Sequence, residues 1–591
     1  MCGIAGIVTK GTRPEKPIVE RMTQVLAHRG PDAQGVWLED GIALGSRRLS
    51  IFDLSSAGNQ PMHSDDERFV IAHNGEVYNF PELRDELGGE FRSDTDTEVV
   101  LKAFAKWGDG SLDRFNGMFA FAIWDRHDKV LTIARDRFGI KPLYYAFWEG
   151  NFYFASEIKA LAAAGVPMEP DEATWSLYLT KGLYDHGERT FFQSVKRLLP
   201  GHILKMDSAG DCKISCWYNL AERTANQPLD ARPDKEVAQE VLELMEDAVR
   251  LRFRADVPVG ICVSGGLDSS LLVGLLRKIF GIETKIHAYH YATGDPQYDE
   301  TQWAKQMLQG CHHALHVTTL RPEEVPSLAR EVAYFQEEPF GGLNSLASVR
   351  LFENAQREGA IVLLGGEGLD EQWAGYDYYR QALTSAAQPE AVGPVQASRS
   401  KSTRPHCLAE AFRDKAGDVD FPALYHEPVK NWLHRDLKYA KIPRALRFVD
   451  RTSSQNSSEL RVPFLDHRLV ELAFQQPVDR MIRQDVQKYL PREIASSLLP
   501  SAVTTAPKRP VQTPQREWLR GPLRGWVEEC LASPAVQTSG WFDTKAIQQE
   551  WESYLTGRDD NSFFVLQWIS VALNASVLES FRSLRSEPTS D

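Results

Sequence analysis

The sequence predicts two domains of different class, a layered α+β domain followed by an α/β domain with a parallel sheet. Its 591 residues are more than one hydrophobic core usually serves, so at least two domains are expected. The first 212 residues carry short segments rich in β-branched and aromatic side chains, bounded by Gly, Asn and Asp. Beyond a polar stretch, apolar strands alternate with helices, and this alternation indicates parallel pairing.

The first domain, residues 1–212, is predicted from four strand-like segments and two helical ones. The strand segments are IALGSRRLSIFDL, ERFVIAHNGEVYN, MFAFAIWDRHDKVLTIARD and NFYFASE. The helical segments, PIVERMTQVLAH and TDTEVVLKAFAKW, have apolar residues at spacings of three and four. Strands interrupted by amphipathic helices favour a layered α+β arrangement.

A polar linker, residues 213–234, is predicted to lead into the second domain, residues 235–578. The predicted elements are a helix from Lys235 to Phe253, a strand VGICVS, a helix from Ser269 to Phe280, and strands KIHAYHY and AIVLLGG. Residues 380–415 are poor in apolar side chains and predict a mobile loop. Residues 579–591 are predicted to fray.

Composition excludes several classes of function. The net charge of −14 argues against a nucleic acid or an anionic membrane as partner, because both need a basic surface. We expect no membrane span and no signal peptide, and therefore a cytoplasmic protein. Seven scattered cysteines fit a reducing compartment better than a disulfide framework. Small-molecule chemistry is the class that remains.

The first residues, MCGIAGIV, place a cysteine directly after the initiator methionine. Aminopeptidases remove Met1 when the next side chain is small, and the thiol and a free α-amine would then share Cys2. The amine has a reference pKa of about 8 and the thiol about 8.5, so the amine can accept the thiol proton. The alternative is a small hydrophobic residue at the start of a buried strand. If Cys2 is the N-terminal residue, its thiol is the nucleophile and its own α-amine is the base.

The segment VGICVSGGLDSS, residues 259–270, reads as a strand, a glycine-containing turn and a helix. Two glycines allow the backbone to approach a ligand closely, while hydroxyls and helix N-terminal amides donate to phosphate oxygens. Asp268 can hold a Mg²⁺ ion that the phosphates share. The lysine of a Walker A loop is missing. The segment therefore predicts a phosphate site of another kind, although a plain turn has a similar composition.

Taken together, these motifs resemble the glutamine-hydrolysing asparagine synthetases over nearly the whole chain. The matching segments, in order, are CGIAGI, HRGPD, RRLSI, NGEVYN, GMFAF, RDRFGIKPLYY, SEIKAL, SGGLDSS, GEGLDE and RVPFLDHRLVELA. The resemblance implies an N-terminal nucleophile glutaminase domain, an αββα sandwich, followed by an ATP pyrophosphatase domain. It also implies an internal channel that carries ammonia between them.

The resemblance implies specific roles in the glutaminase. Cys2 matches the nucleophile, and Asn74 with the backbone N–H of Gly75 matches the oxyanion hole. Arg48 matches the group that pairs with the glutamine α-carboxylate, and Glu76 and Asp96 match those that hold its α-amino group. Without the resemblance, Asp96 reads as the cap of the following helix and Arg48 as a surface charge.

In the second domain the resemblance implies ATP as co-substrate and Mg²⁺ as cofactor. Asp268 and Asp370 match the metal ligands, Glu367 the group that assists the acyl adenylate or orients the amine, and Lys508 the lysine that neutralises pyrophosphate. The implied ATP-binding residues are Cys262, Ser264, Gly265, Gly266, Asp268, Ser269, Ser270, Tyr289, Gly365, Gly366 and Lys508.

Four positions depart from the family pattern. Gly365 stands where Ser is common, Ser454 where Met is usual, and Pro510 and Val511 where a Gly-Phe pair is usual. Because three of them flank the synthetase cleft, the sequence does not decide which carboxylate is the acceptor of the amide nitrogen. The first choice is the side chain of L-aspartate. The alternative is another carboxylate, in a secondary metabolite, peptide or cell-envelope precursor. A third alternative is a glutaminase or binding protein whose synthetase is dead. A homodimer is an open alternative to a monomer.

Overall fold

The structure is a computed structural model that describes residues 1–309, 312–384, 401–505, 513–557 and 561–584. It contains two domains that share a large buried interface. The first is built on two antiparallel sheets, the second on a parallel sheet surrounded by helices. The predicted class of each domain is confirmed.

Two six-stranded sheets form the centre of the first domain. One has the order β10-β8-β9-β1-β3-β2 and the other β12-β11-β7-β6-β5-β4. The strands are β1 Gly3–Val8, β2 Ala33–Glu39, β3 Ile42–Arg48, β4 Met62–His63, β5 Phe69–Val77, β6 Gly117–Asp125, β7 Val130–Arg135, β8 Tyr144–Trp148, β9 Asn151–Ala155, β10 Lys196–Arg197, β11 His202–Asp207 and β12 Cys212–Cys216.

The two sheets stack face to face, with helices on both outer sides. On β6, Ala122 and Trp124 point between the sheets, while Phe121 and Ile123 pack under helices. This alternation follows from the two-residue repeat of a strand. The helices of this part are α1 Lys16–Gln24, α2 Phe80–Leu87, α3 Asp96–Trp107, α4 Ser111–Arg114, α5 Ile158–Ala163, α6 Glu172–Lys181 and α7 Leu220–Thr224. Because α1 and α5 cover one sheet and α2 and α3 the other, the layers are αββα.

A five-stranded parallel sheet forms the core of the second domain, in the order β15-β14-β13-β16-β17. Its strands are β13 Val259–Cys262, β14 His287–Ala292, β15 Ala314–Thr319, β16 Val362–Leu364 and β17 Glu459–Arg461, and a separate hairpin joins β18 Ile482–Arg483 to β19 Val486–Gln487. In a parallel sheet the carboxyl ends of the strands lie at one edge, where ligands bind at the reversal of strand order. The phosphate-loop candidate follows the central strand β13 at this edge.

Helices cover the sheet and extend to the first domain. They are α8 Asp234–Phe253, α9 Leu267–Phe280, α10 Thr301–Met307, α11 Val325–Gln336, α12 Leu343–Arg357, α13 Leu369–Gln372, α14 Glu410–Arg413, α15 Pro428–Arg435, α16 Ile442–Gln455, α17 His467–Gln475, α18 Tyr489–Ser496, α19 Ser501–Thr504, α20 Gln515–Arg520, α21 Arg524–Leu531, α22 Pro534–Gln537, α23 Thr544–Leu555 and α24 Phe563–Ser583. The apolar core that includes α11, α12 and α24 also includes residues of β1 and α5, so the two domains share a hydrophobic core.

Helix α24 corrects one expectation. It is long and apolar enough to span a membrane by length and composition, whereas the sequence analysis expected no such stretch. Within the structure, 61% of its most apolar window is buried. A helix that is hydrophobic on all sides is the form expected of a helix packed in a core.

The predicted linker and loop are both shorter than expected. Strand β12 pairs with β11 inside the predicted linker, because Ile214 and its neighbours extend the second sheet. Residues 401–415 were expected to belong to the mobile loop, but Cys407 and Phe412 are buried against the second domain. Residues 380–383 lie in the 3₁₀ helix Asp377–Leu383, and Thr384 is the residue that ends it. The rest of that loop lies outside the described residues.

Candidate active sites

Cys2 lies at the start of β1, where its Sγ points to the carbonyl oxygen of Leu49, 3.9 Å away. Burial raises the pKa of the Cys2 thiol, while the nearby α-amino group lowers it. Met1 still precedes Cys2 and is only 2% exposed. Burial lowers the pKa of the Met1 amine to about 5. A thiol in this setting needs an adjacent base to become a nucleophile.

Asn74 and Gly75 lie near the end of β5, which packs on β1. The Asn74 Nδ2 donates to the hydroxyl of Ser156 at 3.4 Å, and the same hydroxyl accepts the backbone N–H of Ile4 at 3.0 Å. Ser156 therefore ties Asn74 to the strand that carries Cys2. A side chain at position 75 would place its Cβ 2.2 Å from the carbonyl oxygen of Met118, so only glycine fits.

Glu76 and Asp96 form a buried carboxylate pair. Asp96 accepts the backbone N–H of Val77 at 2.8 Å, and it is Thr95 that caps α3, through the N–H of Glu98. Asp96 is therefore not the helix cap. Burial raises the pKa of Asp96 to about 7 and raises that of Glu76, to which Asp96 adds further. Two buried acids this close to each other favour a cation between or beside them.

Arg48 is 5% exposed and is not a surface charge. Its guanidinium donates to the backbone carbonyl oxygens of Phe52, at 3.1 Å, and Ser55, at 2.7 Å, and to the side chain of Asn59 at 3.1 Å. These contacts fold the segment after β3 over the guanidinium. Arg48 thus fixes the conformation of residues 52–59.

The phosphate-loop candidate follows β13 as predicted. The Ser269 hydroxyl accepts the backbone N–H of Ser264 at 3.1 Å, and the two hydroxyls lie 3.0 Å apart. Gly265 has φ +79°, a conformation that other residues rarely adopt. Helix α9 begins at Leu267, so its N-terminal amides face the same space. The loop has the form of an anion cradle.

Lys488, which the sequence analysis missed, joins the two predicted metal ligands. Its Nζ lies 2.6 Å from Oδ1 of Asp268 and 2.6 Å from Oδ1 of Asp370. These two carboxylates raise the pKa of Lys488 against the opposing effect of its burial. The two carboxylates converge on one cation, so their placement fits a Mg²⁺ ion. The described residues contain no group of three or more His, Cys, Asp or Glu that could hold a metal alone.

Glu367 lies beside the loop after β16. Burial raises its pKa, and its Oε2 has no hydrogen-bond partner within the described part of the chain. A Cβ at position 365 would lie 2.2 Å from this oxygen. Gly365 therefore leaves the space that the Glu367 carboxylate occupies. This is a physical reason for glycine where the family commonly has Ser.

Two cavities meet at this edge of the parallel sheet. One, of about 410 Å³, is lined by Cys262, Ser264, Glu367 and Ile442 among others. The second, of about 920 Å³, is lined by Gly265, Gly266, Asp370 and Lys488 among others. Tyr289, in the middle of strand β14, is the register partner of Cys262 at the end of β13. Ser270 is buried at the start of α9.

Three of the predicted positions cannot be placed. Lys508, Pro510 and Val511 lie outside the described residues. Of the candidates of the second domain, the two cavities are lined by Cys262, Ser264, Gly265, Gly266, Asp268, Ser269, Gly366, Glu367 and Asp370, but not by Ser270, Tyr289 or Gly365.

Helix α16 connects the two sites, which no motif predicted. Ile442 and Ala445 near its start line the smaller cavity. Near its end, Asp450 and Ser454 accept hydrogen bonds from Arg29 at 2.9 to 3.2 Å. Arg29 in turn donates its Nε–H to the carbonyl oxygen of Cys2 at 3.0 Å. The only sequence signal was the amphipathic spacing of α16, which says nothing about its partners.

Comparisons with known proteins agree with this two-site arrangement. Residues 1–218 match the family model described as a glutamine amidotransferase domain, and residues 240–576 match the model described as asparagine synthase. A solved glutamine phosphoribosylpyrophosphate amidotransferase from B. subtilis, complexed with ADP and GMP, aligns with a TM-score of 0.29 and 16% identity over 54% of this chain and 81% of its own.

Several relatives match this chain over most of their own length. Asparagine synthetase [glutamine-hydrolyzing] 1 of Bacillus subtilis is 28% identical, with 95% of this chain and 94% of the relative covered. A putative asparagine synthetase 2 of Methanocaldococcus jannaschii is 31% identical over 76% of this chain and 94% of its own length. Amidase chry2 of Gibberella zeae is 27% identical, covering 93% and 94%. The chain belongs to the glutamine-hydrolysing asparagine synthetase family and is a glutamine-hydrolysing ligase.

Proposed function

We propose that this enzyme hydrolyses glutamine at Cys2 and uses the ammonia to amidate a carboxylate that it first adenylates with ATP. The first-choice acceptor is the side chain of L-aspartate, which would give L-asparagine, AMP, pyrophosphate and glutamate. The observation that carries the proposal is the pair of sites joined by α16, one around a buried cysteine and one around an anion cradle with two convergent carboxylates.

In the glutaminase, the Cys2 thiolate attacks the glutamine side-chain amide. A thioester forms and ammonia leaves, and water then hydrolyses the thioester to glutamate. Removal of Met1 would supply the α-amine that accepts the thiol proton. The Asn74 amide and the Gly75 N–H would stabilise the oxyanion of the tetrahedral intermediate, and Glu76 and Asp96 would hold the ammonium of glutamine.

In the synthetase, Ser264, Ser269 and the amides at the start of α9 would hold the ATP phosphates. Asp268 and Asp370 would hold Mg²⁺, which supplies charge neutralisation of the phosphates when bound. Lys488 would then move from between the carboxylates towards a phosphate oxygen. The acceptor carboxylate attacks the α-phosphorus and pyrophosphate leaves. Ammonia then displaces AMP.

A second acceptor class has its own support. The names of two relatives, amidase chry2 of Gibberella zeae and amidase chyE of Penicillium rubens, call them amidases and not asparagine synthetases, at 27% and 28% identity. Gly365, which makes room for Glu367, departs from the usual Ser at the cleft. The same chemistry on another carboxylate is therefore the alternative. A dead synthetase is disfavoured because Asp268, Asp370 and Glu367 are all present. We propose a cytoplasmic enzyme.

The test is pyrophosphate release from ATP, Mg²⁺ and glutamine with a panel of carboxylates. We expect L-aspartate to give pyrophosphate and asparagine in equal amounts. No pyrophosphate with aspartate, but release with another carboxylate, would overturn the first choice in favour of the alternative. Cys2→Ala should abolish glutamine-dependent amidation and leave ammonium-dependent amidation intact, because the nucleophile serves only the first site. Loss of both activities in a folded variant would contradict the two-site scheme.

A further inference from the structure

Arg461, on the edge strand β17 of the second domain, contacts both sites. Its backbone carbonyl oxygen accepts the N–H of Gly365 at 2.9 Å, and it pairs with Leu364 in the parallel register. Gly365 is the first residue of the loop that follows β16 and contains Glu367. The Arg461 side chain points the other way and reaches the carboxylate pair of the first domain.

The Arg461 guanidinium is fully buried and held on two sides. Nε donates to Oε1 of Glu459 at 2.8 Å, and Nη1 donates to the carbonyl oxygens of Arg252 and Arg254 at 2.9 and 2.5 Å. Nη2 lies 3.9 Å from Oε2 of Glu76. Nη2 of Arg461 and Oε2 of Glu76 are both buried, and neither has a hydrogen-bond partner in the described ranges. Glu76 is one of the two acids that the family resemblance assigns to the glutamine ammonium.

Burial and four charged groups act on Glu76. Burial, Asp96 and Glu459 favour its neutral form, while Arg461 and Lys141 favour its carboxylate form. The Cys2 thiol also interacts electrostatically with Glu76. Glu459 accepts hydrogen bonds from both cations, from Lys141 at 3.2 Å and from Arg461 at 2.8 Å. Arg461, although it belongs to the other domain, is the cation whose nitrogen lies 3.9 Å from a Glu76 oxygen.

We propose that Arg461 is a positioning residue of the glutaminase, which stabilises the carboxylate form of Glu76 for the glutamine ammonium and couples Glu76 to the nucleotide site through the hydrogen bond that its carbonyl oxygen accepts from Gly365. This inference rests on the proposed function. Binding of ATP at the loop of residues 365–368 would shift β17 by way of the Gly365 N–H. The side chain of Arg461 would then move relative to Glu76 and change the affinity for glutamine. Such a coupling must act in both directions.

The test compares Arg461→Gln, Arg461→Lys and Arg252→Gln in the full-length enzyme. Arg252 is the matched control: it is also a buried arginine at the domain interface, paired with Asp466 at 2.9 Å, and it makes no contact with Glu76 among those that the structure describes. Glutaminase rates are measured against glutamine concentration and pH, with and without ATP and Mg²⁺. Ammonium-dependent pyrophosphate release reports an intact second site.

Arg461→Gln should raise KM for glutamine on the order of tenfold, the effect of about one pKa unit on the carboxylate, and lower kcat less. The rise of kcat/KM with pH should move to higher pH, and ATP should no longer change KM. Arg461→Lys should restore much of the KM and the pH profile. The control should retain the wild-type pH profile and its response to ATP.

Equal KM values and pH profiles in Arg461→Gln and Arg252→Gln would overturn the proposal. So would a wild-type KM for glutamine that ATP leaves unchanged. If Arg461→Gln does not fold, Glu76→Gln tests the same pair from the first domain and should remove the effect of ATP on KM; a retained effect would contradict the inference. A wild-type enzyme without any glutaminase activity would instead refute the proposed function, so the two failures are distinguishable.

Discussion

The Nε–H of Arg29 donates to the carbonyl oxygen of Cys2 at 3.0 Å, so a guanidinium holds the backbone of the candidate nucleophile. The other end of Arg29 makes a two-pronged ion pair with Asp450 of the second domain, at 2.9 and 3.1 Å. Arg29 is fully buried, and Glu157 at 2.7 Å and Ser454 at 3.2 Å are further partners. The position of Cys2 therefore depends on a residue of the synthetase domain.

Asp450→Asn should lower kcat of glutamine hydrolysis by about tenfold, because a small displacement of the nucleophile lowers the rate strongly. The neutral amide keeps the shape of the side chain but weakens the grip on Arg29. Steady-state glutaminase assays measure the effect. Asp436→Asn is the control, since Asp436 is equally buried but bonds to Tyr378 and Tyr379 in the second domain. Equal losses in both variants would mean that only stability had changed.

The Glu76 and Asp96 pair predicts the pH dependence of glutamine use. Burial raises the pKa of Asp96 to about 7, so Asp96 is protonated in the free enzyme below about pH 7, and burial raises the pKa of Glu76 in the same direction. A protonated acid cannot balance the glutamine ammonium. The value of kcat/KM for glutamine should therefore rise with pH through about 7, since this ratio reports the free enzyme. Asp96→Asn should shift or remove that limb; an unchanged profile would assign it to another group.

Lys488 predicts a link between Mg²⁺ and stability. Lys488→Met removes the ammonium that lies between Asp268 and Asp370, and so weakens the charge compensation of two poorly solvated carboxylates. Removing one partner of a buried ion pair costs roughly 3–5 kcal/mol, and these acids are partly exposed, so we expect about half of that or less. Thermal unfolding should show a lower Tm, and added Mg²⁺ should raise it more in the variant than in the wild type.

The same variant separates the two activities. Pyrophosphate release should fall about a hundredfold, since a preorganised cation near the phosphates is lost, while glutamine hydrolysis persists. If Mg²⁺ stabilised the wild type and the variant equally, the two carboxylates would not be the metal ligands.

The sequence predicted the class of both domains because their signals are local. The period of three to four residues in TDTEVVLKAFAKW predicted α3 almost to its ends, and SGGLDSS predicted a strand, a turn and a helix. The linker was predicted too long because β12, with the sequence CKISC, is exposed along its whole length and lacks the apolar alternation of a buried strand. Its backbone nevertheless pairs with β11. Backbone pairing leaves little trace in composition.

The contacts between the domains could not be predicted. Lys488 follows a hairpin and resembles any surface lysine, and its partners are 220 and 118 residues away in the chain. Asp450 lies on α16 and Arg461 on β17. The pattern of apolar residues in these elements indicates which positions are buried, but it does not indicate which charged partner a buried residue has. Buried ion pairs of this kind depend on the tertiary arrangement, which brings distant residues into one low-dielectric space.

Gly365→Ser gives a direct test of the cleft. A Cβ at this position would lie 2.2 Å from Oε2 of Glu367, so either the carboxylate or the loop must shift. Because Glu367 is proposed to assist the acyl adenylate or orient the amine, amidation should slow by about tenfold. Glutamine hydrolysis should persist, since Cys2 and its neighbours lie in the first domain.

Gly365→Ala separates the two possible causes of such a change. Alanine adds the same Cβ without the hydroxyl, so an equal loss in both variants would assign the effect to displacement of Glu367. If serine improved the use of aspartate while alanine did not, the hydroxyl would be a determinant of acceptor choice. If neither variant altered amidation with any carboxylate of the panel, the proposed role of Glu367 would be wrong, because its carboxylate cannot keep its present position beside a Cβ at residue 365.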